Sequence, residues 1–83
     1  MNVGLCTIVG AREMQVHTYV MQTYELALAQ AIENLKGIDY SVVRAPEHQV
    51  NGLRQTIFRL PAAFEVITVQ EVEVGEAVLA VTL

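Results

Sequence analysis

Apolar and polar residues alternate in several stretches of the chain, and a period of two is typical of strands with one buried face. Segment 3–9 is rich in aliphatic and β-branched residues and ends at Gly10, which predicts a first strand. In segment 14–21, Met14, Val16, Thr18 and Val20 alternate with other residues, which predicts a second strand. The segment also suits the first half of a helix that runs on to Lys36. Its β-branched residues lower helix propensity and favour the strand.

The pattern changes to a helical period after Thr23. Thr23 is a suitable N-cap residue, and Gly37 provides a left-handed stop after Lys36. We therefore predict one helix over residues 24–36. Its predicted buried stripe consists of Tyr24, Leu28, Ala31, Ile32 and Leu35.

Two structures are compatible with segment 46–60. As a helix, it begins with Pro46 in the first position, which suits a helix start. As a hairpin, it turns at Asn51–Gly52, the strongest short turn signal in the chain. We predict the hairpin, because Asn-Gly inside a helix costs about 1 kcal/mol or more relative to alanine. The preceding segment, 38–44, is predicted as a strand.

The stretch 64–74 predicts a long strand, and 77–83 predicts an apolar strand after a turn at Gly75–Glu76. Apolar residues on both faces of a strand indicate that both faces are buried. Two sets of residues alternate along the strand predicted over 64–74. One face has Phe64, Val66, Thr68, Gln70, Val72 and Val74, and the other has Glu65, Ile67, Val69, Glu71 and Glu73.

These elements predict an α+β fold in which a mainly antiparallel sheet of about four to six strands packs on the helix at 24–36. The alternative is a compact α/β fold with a second helix at 46–60. One helix covers only one face of such a sheet, so the other face stays exposed unless 12–22 or 46–60 is helical or the sheet closes into a barrel-like form. We therefore predict a homo-oligomer, most simply a two-fold dimer. The residues predicted to lie in the subunit contact are Ile67, Val69, Val78 and Val81.

The 83 residues predict a single domain, 1–83, in which 53% of the residues are hydrophobic and 17% are charged. That balance excludes intrinsic disorder, which requires low hydrophobicity and high charge. The first residues lack the basic and apolar regions of a signal peptide, and no apolar run approaches the roughly 18 residues of a membrane span. We therefore expect a cytoplasmic protein without a membrane segment. Cys6 is the only cysteine, so no internal disulfide is expected.

The formal net charge of −4 lies entirely in residues 60–83. All five basic residues precede them and are spread along the chain, which argues against nucleic-acid binding, because that binding needs clustered Lys and Arg. Two interpretations are open for the carboxylates: they meet a basic surface of a protein partner, or they protect an apolar strand from aggregation. The predicted partner-binding residues are Glu65, Glu71, Glu73 and Glu76.

Three of the five basic residues lie between positions 44 and 59, and they suggest one candidate ligand site. The predicted pocket, for an anion or nucleotide at a subunit interface, consists of Tyr40, Arg44, His48 and Arg54; the alternative is an ordinary solvated loop. His17 and His48 have no third ligand at metal spacing, so we expect no metal and no cofactor. Cys6 has no local histidine partner, and we expect no catalytic residue.

The lack of catalytic motifs and the two-faced strand favour a non-enzymatic protein that assembles with itself and binds a macromolecular partner. The expected type is an inhibitor or adaptor, for example a phage-encoded protein that blocks a host complex. The alternative is a domain that binds or sequesters a small anion or nucleotide at the subunit interface. An enzyme is the third class, and no sequence motif supplies its chemistry.

Overall fold

A computed structural model of the protein describes residues 1–12, 14–38 and 41–74. Within these residues, six strands form one antiparallel sheet and one α-helix packs against it. This is the α+β fold predicted from the residue pattern. In chain order, the elements are β1 (Asn2–Gly10), β2 (Gln15–Met21), α1 (Tyr24–Leu35), β3 (Val43–Arg44), β4 (His48–Val50), β5 (Leu53–Leu60), a 3₁₀ turn (Pro61–Ala63) and β6 (Glu65–Glu73).

The last described strand, β6, lies in the middle of the sheet between β1 and β5. The strand order is β2-β1-β6-β5-β3, and β4 also pairs with β5. One edge of the sheet is therefore the seven-residue strand β2, whereas the other consists of the short strands β3 and β4. Helix α1 connects β2 to the strands of the opposite edge.

Helix α1 begins at Tyr24, as predicted, and ends at Leu35, one residue before the predicted end at Lys36. The backbone N–H of Leu26 donates a hydrogen bond of 3.1 Å to Oγ1 of Thr23, and Gly37 has a φ of 80°. The predicted stripe is wrong at Ile32, which is 43% exposed, because the helix turns Ala27 and Ala31 toward the sheet instead. Its fully or almost fully buried residues are Tyr24, Ala27 and Ala31.

Both segments with alternative predictions are strands. Asn51 and Gly52 form the turn between β4 and β5 with φ values of 54° and 80°, which confirms the predicted hairpin. Residues 15–21 form β2, paired with β1, so neither segment supplies a second helix. Of the strand predicted over 38–44, the structure has Val43–Arg44 in β3, and residues 39 and 40 lie outside the described part.

The prediction that Ile67 and Val69 lie in a subunit contact is wrong. Ile67 and Val69 are 0% exposed, and they lie beneath α1 in the core with Cys6, Phe58 and Leu60. The side chains of β6 that α1 leaves uncovered are those of the alternate residues. The face of β6 that α1 covers depends on long-range contacts between α1 and β1. The apolar pattern of β6, which is similar on both faces, does not contain this information. Val78, Val81 and the strand predicted over 77–83 lie outside the described residues.

Candidate functional site

One face of the sheet carries no helix in the described part of the chain, and we call it the uncovered face. Directly opposed residues put Thr18, Thr7, Thr68 and Ile57 in one row across β2, β1, β6 and β5. Valines flank this row, and three of them are exposed to solvent: Val9 by 39%, Val16 by 64% and Val20 by 68%. Apolar patches of this kind mark interaction sites more often than isolated apolar residues do.

The two edges of the sheet differ in how they are protected. Six of the seven residues of β2 are exposed, and the strand contains no charged residue and no proline. At the opposite edge, β3 has two residues and β4 has three, with Arg44 in β3 and Pro46 between them. Short length, charge and proline are the usual devices that prevent an edge from pairing with another chain. Edge β2 has none of the three.

Arg54 is the centre of an ion-pair cluster on the helix side of the sheet, which we call the Arg54 cluster. Its Nη1 lies 2.7 Å from Oε1 of Glu25, and its Nη2 lies 3.2 Å from Oε2 of Glu71. The backbone N–H of Arg54 also donates to Oε1 of Glu71 at 3.3 Å. The guanidinium carbon lies 4.6 Å from the ring centre of Tyr24. The cluster thereby joins the first turn of α1 to β5 and β6.

The electrostatics of the Arg54 cluster favour its charged form. The hydrogen bond from Arg54 is the main reason that the pKa of Glu25 and the pKa of Glu71 lie below the usual value. Burial raises the pKa of Tyr24, whose hydroxyl is hydrogen-bonded to the hydroxyl of Thr56. Arg54 is thus already engaged by two carboxylates and one aromatic ring, so in the single chain it acts as a structural link.

A single chain does not bring together Arg44, His48 and Arg54, the three predicted ligand-binding residues that the structure describes. Arg44 stacks over the ring of Phe58, 5.2 Å from its centre, and so lies on the helix side of the sheet, as Arg54 does. His48 lies on the opposite side, where its Nε2 is 2.7 Å from Oε1 of Gln55. Tyr40 lies outside the described residues. A ligand pocket formed between two subunits stays a prediction.

The predicted acidic residues do not form one stripe along β6. Glu65 lies at the start of the strand, separated from Glu71 by the buried residues Ile67 and Val69. Glu71 is bound by Arg54, and its side chain is 14% exposed. Glu73 is exposed, and Glu76 lies outside the described residues. Because β6 is a central strand, these carboxylates do not line an edge of the described sheet.

An exposed aromatic corner at one end of the sheet was not predicted. Phe64 follows the 3₁₀ turn, is 58% exposed, and has a φ of 52°, which is uncommon for a bulky residue. The guanidinium carbon of Arg12 lies 5.0 Å from its ring centre. Met14, in the same turn as Arg12, is 91% exposed and also has a φ of 52°. We call Arg12, Met14 and Phe64 the Phe64 corner; the only sequence signal for it is the pair Pro61 and Phe64 at a strand boundary.

Neither a reactive thiol nor a metal-binding cluster is found among residues 1–12, 14–38 and 41–74. Cys6 is fully buried, and burial raises the pKa of its thiol, which opposes formation of a reactive thiolate. The described residues include no group of three or more His, Cys, Asp or Glu placed to hold a metal ion. The described part of the chain, α1 included, has no helix with the length and apolar character of a membrane span.

Comparison with known proteins adds no relative. The chain matches no known family model, no curated protein and no solved structure.

The Arg54 cluster makes the stability of the fold depend on pH. The folded-state pKa of Glu71 is lowered, so its contribution is present above the unfolded value of about 4.3 and is lost as pH falls through the folded value. We expect Glu71→Gln to lower the free energy of unfolding at neutral pH and to flatten its decrease below about pH 5. Urea titrations at several pH values measure this. Glu73→Gln, on the same face of β6 but exposed, is the control; an equal flattening by both variants would contradict the assignment.

Proposed function

We propose that this protein is a non-enzymatic, homo-oligomeric interaction protein of the inhibitor or adaptor type, which binds a macromolecular partner in the cytoplasm. The observation that supports this most strongly is a sheet that, in the described part of the chain, has a helix on only one face and whose uncovered face continues to the unprotected edge β2. A catalytic domain would need converging polar groups in a cleft. Here the exposed features of the described part are instead an apolar face, a strand edge and an aromatic corner.

Burial of these surfaces supplies the driving force for association. Each square ångström of apolar surface removed from water contributes roughly 25 cal/mol. A chain of this length buries only about 60% of the surface that it exposes when unfolded, so additional burial matters more than in a larger domain. The uncovered face carries valine and threonine side chains without a cluster of like charges, which allows close contact.

The Phe64 corner is the surface that we propose for the heterologous partner. Aromatic residues, methionine and arginine are enriched in protein interfaces, and aromatic and arginine side chains often provide most of the binding free energy. Arg12 holds the ring of Phe64 in place from one side, so that the ring loses less freedom when a partner binds. Of the predicted partner-binding carboxylates, Glu73 is exposed and stays available for a basic surface.

Site-specific photo-cross-linking tests this proposal. We expect a benzoylphenylalanine in place of Phe64 to cross-link one defined polypeptide in cells, whereas the same residue in place of Ala29, exposed on α1, does not. Phe64→Ala should then weaken binding of that polypeptide at least tenfold, which corresponds to ~1.4 kcal/mol. Equal cross-linking from both positions, or unchanged affinity of the alanine variant, would contradict a partner site at the Phe64 corner.

A further inference from the structure

We propose that β2 is the seam of a homodimer. In this dimer, β2 of one copy pairs antiparallel with β2 of a second copy about a two-fold axis at Thr18, so that the two sheets become one. The inference rests on the homo-oligomeric part of the proposed function and goes beyond it, because it assigns the strand, the pairing direction and the register.

The contrast between the two edges carries the first step. In the described part, the outer side of β2 pairs with no strand, so its backbone N–H and C=O groups are available to another chain. Exposed edges of this length normally contain a charge, a proline or a bulge that blocks pairing. The opposite edge is interrupted after a few residues, whereas β2 is continuous over Gln15–Met21 and uncharged.

The occupant of this edge follows from the sequence of the strand itself. Val16-His17-Thr18-Tyr19-Val20 matches its own reverse in chemical type. Antiparallel pairing centred on Thr18 places Val16 against Val20 of the second copy, and His17 against Tyr19. Valine pairs and an aromatic–imidazole pair are favourable cross-strand neighbours, and no like charges oppose each other. A second copy of β2 therefore presents side chains that fit this edge.

The geometry of this pairing preserves the other exposed surfaces. A two-fold axis that relates antiparallel neighbours is perpendicular to the sheet, so both copies keep the same face on the same side. Both α1 helices then lie on one side, and both uncovered faces form one larger face on the other. Phe64 directly precedes β6, which lies two strands away from β2, so dimerisation through the seam leaves the ring of Phe64 accessible to a partner.

Two matched lysine substitutions test the seam. Thr18 and Thr68 lie in the same row on the same face, but Thr18 is on the edge strand and Thr68 is on the central strand β6. We expect the wild-type protein to sediment at twice its chain mass of 9.2 kDa at micromolar concentration. Thr18→Lys should sediment as the monomer, because a lysine on an edge blocks pairing. Thr68→Lys should remain dimeric. Circular dichroism spectra of both variants should match that of the wild type, which shows that both are folded.

Cysteine cross-linking tests the register. Opposed residues have Cα atoms about 4.5–5.5 Å apart, within the range that a disulfide requires. We expect Val16→Cys and Val20→Cys to form a disulfide dimer when mixed but not alone, because identical positions would lie about 13 Å apart. Cys6 is fully buried, and the wild-type chain serves as the control for its reactivity.

The possible outcomes separate the seam from the proposed function. A monomeric wild-type protein overturns both the homo-oligomer and the seam. A dimer that Thr68→Lys dissociates, with or without an effect of Thr18→Lys, assembles through the uncovered face, which overturns the seam and retains the homo-oligomer. A dimer that neither substitution dissociates also overturns the seam. Disulfides from either single variant alone overturn the antiparallel register.

Discussion

Gly4→Ala is expected to lower the free energy of unfolding by at least ~3 kcal/mol, the upper end of the cost of overpacking. A Cβ atom at Gly4 would lie 2.2 Å from the carbonyl oxygen of Thr23 and 2.8 Å from the Cβ of Ala27. That carbonyl accepts the first helical hydrogen bond, from the N–H of Ala27 at 3.1 Å, so it cannot move without disturbing the start of α1. Thermal unfolding should show a midpoint lower by roughly 12–24 °C.

A double variant separates the backbone clash from side-chain crowding. Ala27→Gly removes the nearby Cβ atom but leaves the Thr23 carbonyl in place, so it should not rescue Gly4→Ala. Gly37→Ala is the second control, because Gly37 has a φ of 80° and an added Cβ there meets no atom within 4 Å. It should cost only about 1–2 kcal/mol, the backbone penalty alone. A Gly4→Ala variant as stable as the wild type would contradict the close approach of α1 to β1.

Local chemistry explains why most elements were predictable from the sequence. The turn at Asn51–Gly52 and the cap at Thr23 depend on residues within a few positions of each other. The alternation over 15–21, with its β-branched residues, likewise favoured the observed strand without reference to the rest of the chain. These signals were sufficient for the α+β class and for the number of helices in the described part.

Strand order and face assignment depend on contacts that no local pattern contains. Strand β6 is apolar on both sides, and its covered face is decided by the fit of α1 against Gly4, far away in sequence. The same limitation affected Arg54, whose carboxylate partners Glu25 and Glu71 are 29 and 17 residues away. Without those partners in view, Arg54 was predicted to bind an anion. The insertion of β6 between β1 and β5 similarly left β2, not β6, at the edge.

The edge and the uncovered face have different chemical character, and this separates their proposed roles. Pairing along β2 is directed by backbone hydrogen bonds, which fix direction and register. Contact through the uncovered face depends on side-chain area, which tolerates several partners and angles. A homodimer through β2 would therefore be specific, while the joined uncovered faces and the two Phe64 corners remain available to a macromolecular partner.

Ile67→Ala is expected to destabilise the fold by about 3 kcal/mol, within the 2–5 kcal/mol typical of a fully buried isoleucine. Ile67 is 0% exposed and lies in the core with Phe58, the residue directly opposite it on β5. Truncation leaves a cavity, because the surrounding side chains of the sheet and α1 relax only partially around it. A domain of this size has a total stability of roughly 4–12 kcal/mol, so this single change removes a large fraction of it.

The adjacent residue provides the matched control and decides which face of β6 is the core. Val66 is only partly buried on the uncovered face, so Val66→Ala should cost about 1 kcal/mol or less, measured by urea unfolding at the same protein concentration. If Val66→Ala were the more destabilising change, α1 would have to cover the opposite face. Ile67 would then be free for a subunit contact. The larger loss is expected at Ile67 because buried area, not residue type, separates these two β-branched neighbours.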